Sequence, residues 1–145
     1  MHSVSHGNAI REALQGVPLF TACSKRDLRI IARHMQVIEV PEGTVLMREG
    51  DEGDAFYVAL RGSAVIQRGG ADVATLEAGG YTGELAMIDP APRSATVTTT
   101  SVMVLGVLDR RSFLAMLRDL PALSGKLMRT LAARLRQRDA EARRA

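Results

Sequence analysis

The chain reads as mainly β with flanking helices, a β-rich middle from Val37 to about Asp109 set between helical ends. Two patterns predict this. Between 37 and 109, short apolar runs are punctuated by Gly, Pro and Asp, as short strands are by turns. In residues 9–36 and 110–142, apolar side chains recur at three- and four-residue spacing. At 145 residues the chain is one domain by length, expected over 9–145. A chain near this size buries about 68–70% of its unfolded surface and needs no disulfide or metal to fold.

Taken in order, Ile10, Leu14 and Val17 form a first apolar stripe, broken by Gly16 and Pro18. Ser24 is an N-cap candidate for a second helix, with Asp27 three positions later as its capping-box partner. Leu28, Ile31, Ala32 and Met35 then recur at helical spacing. The polar stretch before residue 9 is expected to be disordered.

The expected strands are 37–40, 45–47, 56–60, 64–66, 73–76, 95–100 and 102–108. Their alternation is imperfect. Gly69-Gly70 is expected to close a hairpin. Several short strands with turns between them favour a barrel or sandwich over a parallel sheet. After Leu108, Phe113, Leu114 and Leu117 mark one helix that ends before Pro121. A second carries Leu123, Leu127, Leu131 and Leu135 at four-residue steps, a stripe that needs a cover.

Composition removes several classes of function. One cysteine, Cys23, rules out a disulfide within the monomer, and its simplest reading is a small apolar residue. No stretch approaches the ~20 apolar residues of a membrane span, and the N-terminus lacks a signal peptide's apolar segment. The chain reads as soluble and cytoplasmic. With no tryptophan and few aromatic rings it lacks the stacking platforms of single-strand nucleic-acid binders. The net charge of +3 is uneven: seven basic residues follow from Lys126 against Asp139 and Glu141. That tail suits an acidic partner, DNA phosphates or a membrane surface, or is a solvated helix face that ends in a linker. His2, His6 and His34 do not converge with carboxylates into a metal site, and no Ser-His-Asp or Cys-His set can be built in the β region. The chain is expected to be no enzyme, and to need neither metal nor cofactor.

The segment from Tyr81 to Val97, YTGELAMIDPAPRSATV, holds the chemistry. Gly83 lets backbone approach a ligand closely. Glu84 can accept hydrogen bonds from a sugar hydroxyl, and a helix starting there points free amides at an anion. Arg93 offers a planar, permanently charged fork suited to phosphate. A ribose joined to a phosphate satisfies all of these groups. The bland alternatives are a surface arginine at Arg93 and a helix-dipole carboxylate at Glu84.

Gly83-Glu84-Leu85-Ala86, followed by Pro92-Arg93-Ser94-Ala95, resembles the phosphate-binding cassette of cyclic nucleotide-binding domains. That family includes the catabolite activator protein, protein kinase A regulatory subunits and cyclic nucleotide-gated channels. Glu49-Gly-Asp-Glu-Gly-Asp-Ala-Phe-Tyr-Val58 with Gly62, and Pro18-Leu-Phe20, extend the resemblance over roughly residues 17 to 135.

The resemblance implies an eight-stranded β jelly roll (37–109) with its cassette at 81–97, after a helical lead-in (9–36) and before hinge and lid helices (110–142). It implies that Arg93 and Ser94 meet phosphate and Glu84 meets the ribose 2′-hydroxyl. Gly83, Leu85 and Ala86 would contribute backbone rather than side chain, and Ala95 completes the ligand-binding set. Many relatives carry an aromatic directly before Gly-Glu; here Thr82 stands there and Tyr81 one place earlier. Arg134 falls where some channel-type members place an arginine against the purine. The implied ligand is cyclic AMP, favoured by the Arg-Ser-Ala form, with cyclic GMP as the alternative. The last helix would cover the ligand, or pair with a second subunit or partner protein. The chain stops at Ala145 without a helix-turn-helix, so direct DNA binding is not expected. A regulatory fragment of a channel, transferase or transcription factor, or a structural or dimerisation module without ligand, are the alternatives.

Overall fold

A computed structural model describes residues 2–3, 7–88 and 91–144. Asp89 and Pro90 of the 81–97 segment, His6 of the N-terminal stretch and Ala145 lie outside the described residues.

The lead-in is α1 (Gly7–Gln15), a 3₁₀ turn at Pro18–Phe20 and α2 (Lys25–His34). Proline starts the turn because its missing N–H is not needed there. Ser24 and Asp27 form the expected capping box, each side chain accepting from the other residue's amide, at 3.1 and 3.2 Å.

Nine strands occur among the described residues: β1 (His2–Ser3), β2 (Gln36–Val40), β3 (Val45–Met47), β4 (Ala55–Arg61), β5 (Ser63–Arg68), β6 (Ala71–Glu77), β7 (Tyr81–Thr82), β8 (Thr96–Thr99) and β9 (Met103–Asp109). They build two antiparallel sheets, ordered β1-β2-β9-β4-β7 and β3-β8-β5-β6. Setting aside the short β1, four strands face four, the two layers of a jelly roll. Gly69 and Gly70, at φ of 58° and 81°, turn the β5–β6 hairpin as expected.

Two strands escaped the sequence reading. His2–Ser3 is not disordered; it pairs with Glu39 and Ile38 at the sheet edge. Tyr81–Thr82 pairs with Val58 and Tyr57, which anchors the start of the cassette to β4.

The first sheet is buried on both faces. Val37, Phe56, Val58 and Leu108 pack against the helices with Leu14, Phe20, Ile31, Phe113 and Leu127. Ile38, Val40, Ala59, Met103 and Leu105 point into the barrel with Ala64, Leu76 and Val97. A two-sided sheet has no polar face, so its strands lose their alternation.

The chain closes with a short cassette helix, α3 (Glu84–Ile88), and two C-terminal helices, α4 (Arg110–Asp119) and α5 (Pro121–Arg144). Asp109 caps α4 by accepting from the Ser112 amide at 2.7 Å. In α4 the inner face is Phe113 and Met116; Leu114, expected inside, is 42% exposed. In α5 the expected stripe divides. Leu123 and Leu127 are buried in the helical core, Leu131 is half-buried, and Leu135 is exposed with Met128. No helix among the described residues is long and apolar enough to cross a membrane.

Candidate cyclic nucleotide site

A cavity of about 840 Å³ opens between the cassette, the β5–β6 hairpin and α5. Thr82, Gly83, Glu84, Leu85, Ala86, Arg93, Ser94, Ala95 and Arg134, all singled out from the sequence, line it. Four polar or charged residues that the sequence did not single out join them: Arg68, Thr75 and Glu77 from the hairpin, and Arg138 from α5. Turn signals locate a hairpin but not the direction of its exposed side chains.

Arg93 is 7% exposed. Its backbone is locked to the 50–51 loop: its amide donates to Asp51 O, and its carbonyl accepts from the Gly50 amide, both at 2.8 Å. Its side chain spends one donor on protein, Nη2 to Ala55 O at 2.8 Å. Nε and Nη1 are buried and have no hydrogen-bond partner among the described residues. Burying charged donors unpaired is costly, and native proteins seldom do it without a reason.

Two glycines make room for that guanidinium. A Cβ on Gly53 would stand 2.6 Å from Arg93 Nε. One on Gly83 would stand 2.7 Å from Ala55 O and 3.1 Å from Arg93 Nη1, and Gly83 has φ of +95°, a region L side chains rarely adopt. Gly53 belongs to the Glu49–Val58 motif, so its spacing to the arginine is now explained by contact.

Glu84, 7% exposed, is the first residue of α3. Its Oε1 accepts from Arg134 Nη1 at 3.0 Å. Arg134 also lies over the Tyr81 ring, 5.3 Å from its centroid, and its Nη2 reaches the Tyr81 hydroxyl at 3.4 Å. Its guanidinium is thus engaged at the cassette. Tyr81 packs on Phe56 with centroids 5.7 Å apart, and Phe56 on Phe113 at 4.8 Å. The aromatic displaced by one place therefore serves the core and α5 together. Burial pushes the Tyr81 phenol above its ordinary pKa, opposed by the Arg134 charge.

Ser94 is exposed at the cavity and Ala95 is buried at the start of β8. Leu85 and Ile88, 55% and 48% exposed, present apolar surface to the same cavity as Leu131 and Leu135.

The arrangement offers a buried cation with spare donors, a carboxylate with one oxygen committed, and an apolar wall. Comparison with known proteins decides the family. The model of the cyclic nucleotide-binding domain matches residues 37–119, more than half of the chain. The chain belongs to the cyclic nucleotide-binding domain family. It is 28% identical over 131 residues to the CRP-like cAMP-activated global transcriptional regulator of Mycobacterium tuberculosis, a match spanning 87% of this chain and 58% of that one. It is 35% identical over 101 residues to the cAMP-dependent protein kinase regulatory subunit of Schizosaccharomyces pombe, spanning 69% of this chain and 24% of the other. Among solved structures, the catabolite activator protein of Thermus thermophilus superposes with a TM-score of 0.80 at 31% identity, covering 86% of this chain and 61% of that one. The chain thus spans less than two thirds of each of these relatives. The relatives are named as regulatory proteins, and the jelly roll expected from the cassette motif is the fold shared with the solved Thermus thermophilus structure.

Proposed function

We propose that this domain is a cyclic nucleotide sensor, with cyclic AMP as the favoured ligand and cyclic GMP as the alternative. One observation carries the reading: Arg93 Nε and Nη1 are buried at the cavity with no hydrogen-bond partner among the described residues, beneath two glycines that a methyl group would close. A cyclic phosphate supplies the anion these donors lack. Ser94 and the cassette residues Gly83, Leu85, Ala86 and Ala95 line the same cavity. Glu84 keeps Oε2 for the ribose 2′-hydroxyl while Oε1 holds Arg134.

Cyclic AMP is favoured because both sequence relatives are named for it. Occupancy is reported through α5, whose Leu131, Arg134, Leu135 and Arg138 line the cavity. A ligand shifts that helix only by its difference in affinity for two helix positions. The domain works in the cytoplasm as a regulatory unit, alone or within a larger protein. Thr82 and Arg134 lie at the cavity, but base selectivity rests on the apolar wall as much as on either.

A second reading is a dimerisation or docking module, favoured by Met128 and Leu135 of α5, 65% and 61% exposed and two helical turns apart. Isothermal titration of the purified protein with cyclic AMP, cyclic GMP and linear AMP separates the readings. Binding of one cyclic nucleotide, abolished in Arg93→Ala, supports the sensor. Absence of binding by folded protein supports the docking module.

A further inference from the structure

We propose that Arg110 is a positioning residue for this site, acting on Glu84 through α3; the inference rests on the nucleotide reading above. Arg110 opens α4, but its guanidinium turns back to the cassette. Nη2 donates to Ala86 O, and Nε to Met87 O at 3.3 Å. A helix of five residues leaves nearly all its carbonyls without a partner inside the helix. Two of these orphans accept from one side chain, and its positive charge lies at the negative end of the helix.

Glu84 begins the helix that Arg110 finishes, so one rigid turn connects the two ends. Arg134 of α5 holds Glu84 at the opening end. The C-terminal helices therefore grip the cassette helix at both ends. The grips differ in kind. The Arg134 side chain is 50% exposed and holds a carboxylate that the proposed ribose contact shares. Arg110 is half-buried and holds main chain, which no ligand group replaces. Arg110 fixes where α3 rests and therefore where the Glu84 carboxylate waits. A displacement of α3 on binding enters α4 at its first residue.

The test uses the whole chain with Arg110→Gln and Arg110→Lys, and two readouts. The first is amide hydrogen exchange at Ala86, Met87 and Ile88 without added nucleotide, with β9 amides as the control for global unfolding. The second is the affinity for cyclic AMP relative to its 2′-deoxy analogue, which isolates the contact with Glu84.

Arg110→Gln is expected to speed α3 exchange about tenfold with β9 unchanged, and to shrink the preference for ribose over deoxyribose roughly tenfold. Arg110→Lys should recover part of both, since one ammonium can still reach a carbonyl. Unchanged α3 exchange overturns the proposal. Equal weakening of both nucleotides also overturns it, because that reports a general loosening rather than a misplaced Glu84. Should Arg110→Gln lose β9 protection, Arg110→Lys carries the same test: a smaller shift in the same direction supports the proposal and no shift overturns it. If wild-type protein binds neither nucleotide, the sensor reading is what fails, and α3 exchange alone decides whether Arg110 holds the helix.

Discussion

Arg134 and Glu84 stand 50 residues apart and meet at 3.0 Å, tying the C-terminal helix to the first residue of the cassette helix. The pair is asymmetric: the glutamate side chain is 9% exposed and the arginine side chain 50%. A half-exposed ion pair of this kind contributes about 0–1 kcal/mol to stability. Its consequence is geometric, because it holds the outer half of α5 across the cavity.

Arg134→Ala should therefore shift the melting temperature by only a few degrees, while hydrogen exchange quickens in α5 beyond Met128. About 1 M salt should mimic the variant, since exposed charges are screened at that ionic strength. Unchanged exchange in α5 would show that Leu123 and Leu127 alone hold the helix in place.

Arg93 separates function from stability. Its Nε and Nη1 are buried without hydrogen-bond partners among the described residues, so the protein folds around a desolvated charge. Arg93→Met keeps the apolar stem and removes the charge. Its unfolding free energy should stay within about 1 kcal/mol of wild type or exceed it. Cyclic nucleotide binding should fall more than tenfold. Urea melts and titration calorimetry on the same samples check both halves.

Gly53 and Gly83 guard the same guanidinium. Gly53→Ala places a methyl 2.6 Å from Arg93 Nε, and the side chain must move. Overpacking of this kind costs about 1–3 kcal/mol, and the displaced fork should lose at least tenfold in affinity. Gly70→Ala is the contrast. Like Gly83 it has a positive φ, but nothing stands within 4 Å of its added methyl. It should cost stability through backbone strain and leave affinity unchanged.

Acid should loosen α4 before the barrel. Asp109 sits below the ordinary carboxyl pKa of 3.8, chiefly because it accepts the Ser112 amide. Its contribution is complete above the unfolded pKa and is lost as pH falls through the lower folded value. Asp119, lowered mainly by its bond with Arg118, adds to the same trend. Asp109→Asn keeps an N-cap without the titration. Its melting temperature should fall less steeply than wild type below about pH 4.

Much of this was legible in the sequence, for physical reasons that differ by element. The Ser24–Asp27 box and the Gly69-Gly70 turn are local chemistry, and the structure places both as read. Seven strands follow from their apolar runs. The eighth, Tyr81–Thr82, is two residues long and owes its pairing to β4, which no local pattern announces. The polar His2–Ser3 strand likewise exists only because the β2 edge receives it. Leu114 keeps helical spacing, yet Met116 takes the inner position beside Phe113. Nine site residues fall on one cavity because the cassette is nearly contiguous, with only Arg134 remote. Arg110 was not legible. Its partners are carbonyls, which carry no signature in sequence.

The central claim is that Arg93 is held for the phosphate of a cyclic nucleotide. The most direct measurement is thermal unfolding of wild type and Arg93→Met with cyclic AMP, cyclic GMP and linear AMP. At a hundredfold excess over its dissociation constant, a ligand adds about 2.7 kcal/mol, a rise of roughly 5–11 °C for a domain of this size. Wild type should show that rise with a cyclic nucleotide and none with linear AMP, and the variant should show none. An equal rise in Arg93→Met, or no rise in folded wild type with either cyclic nucleotide, would contradict it.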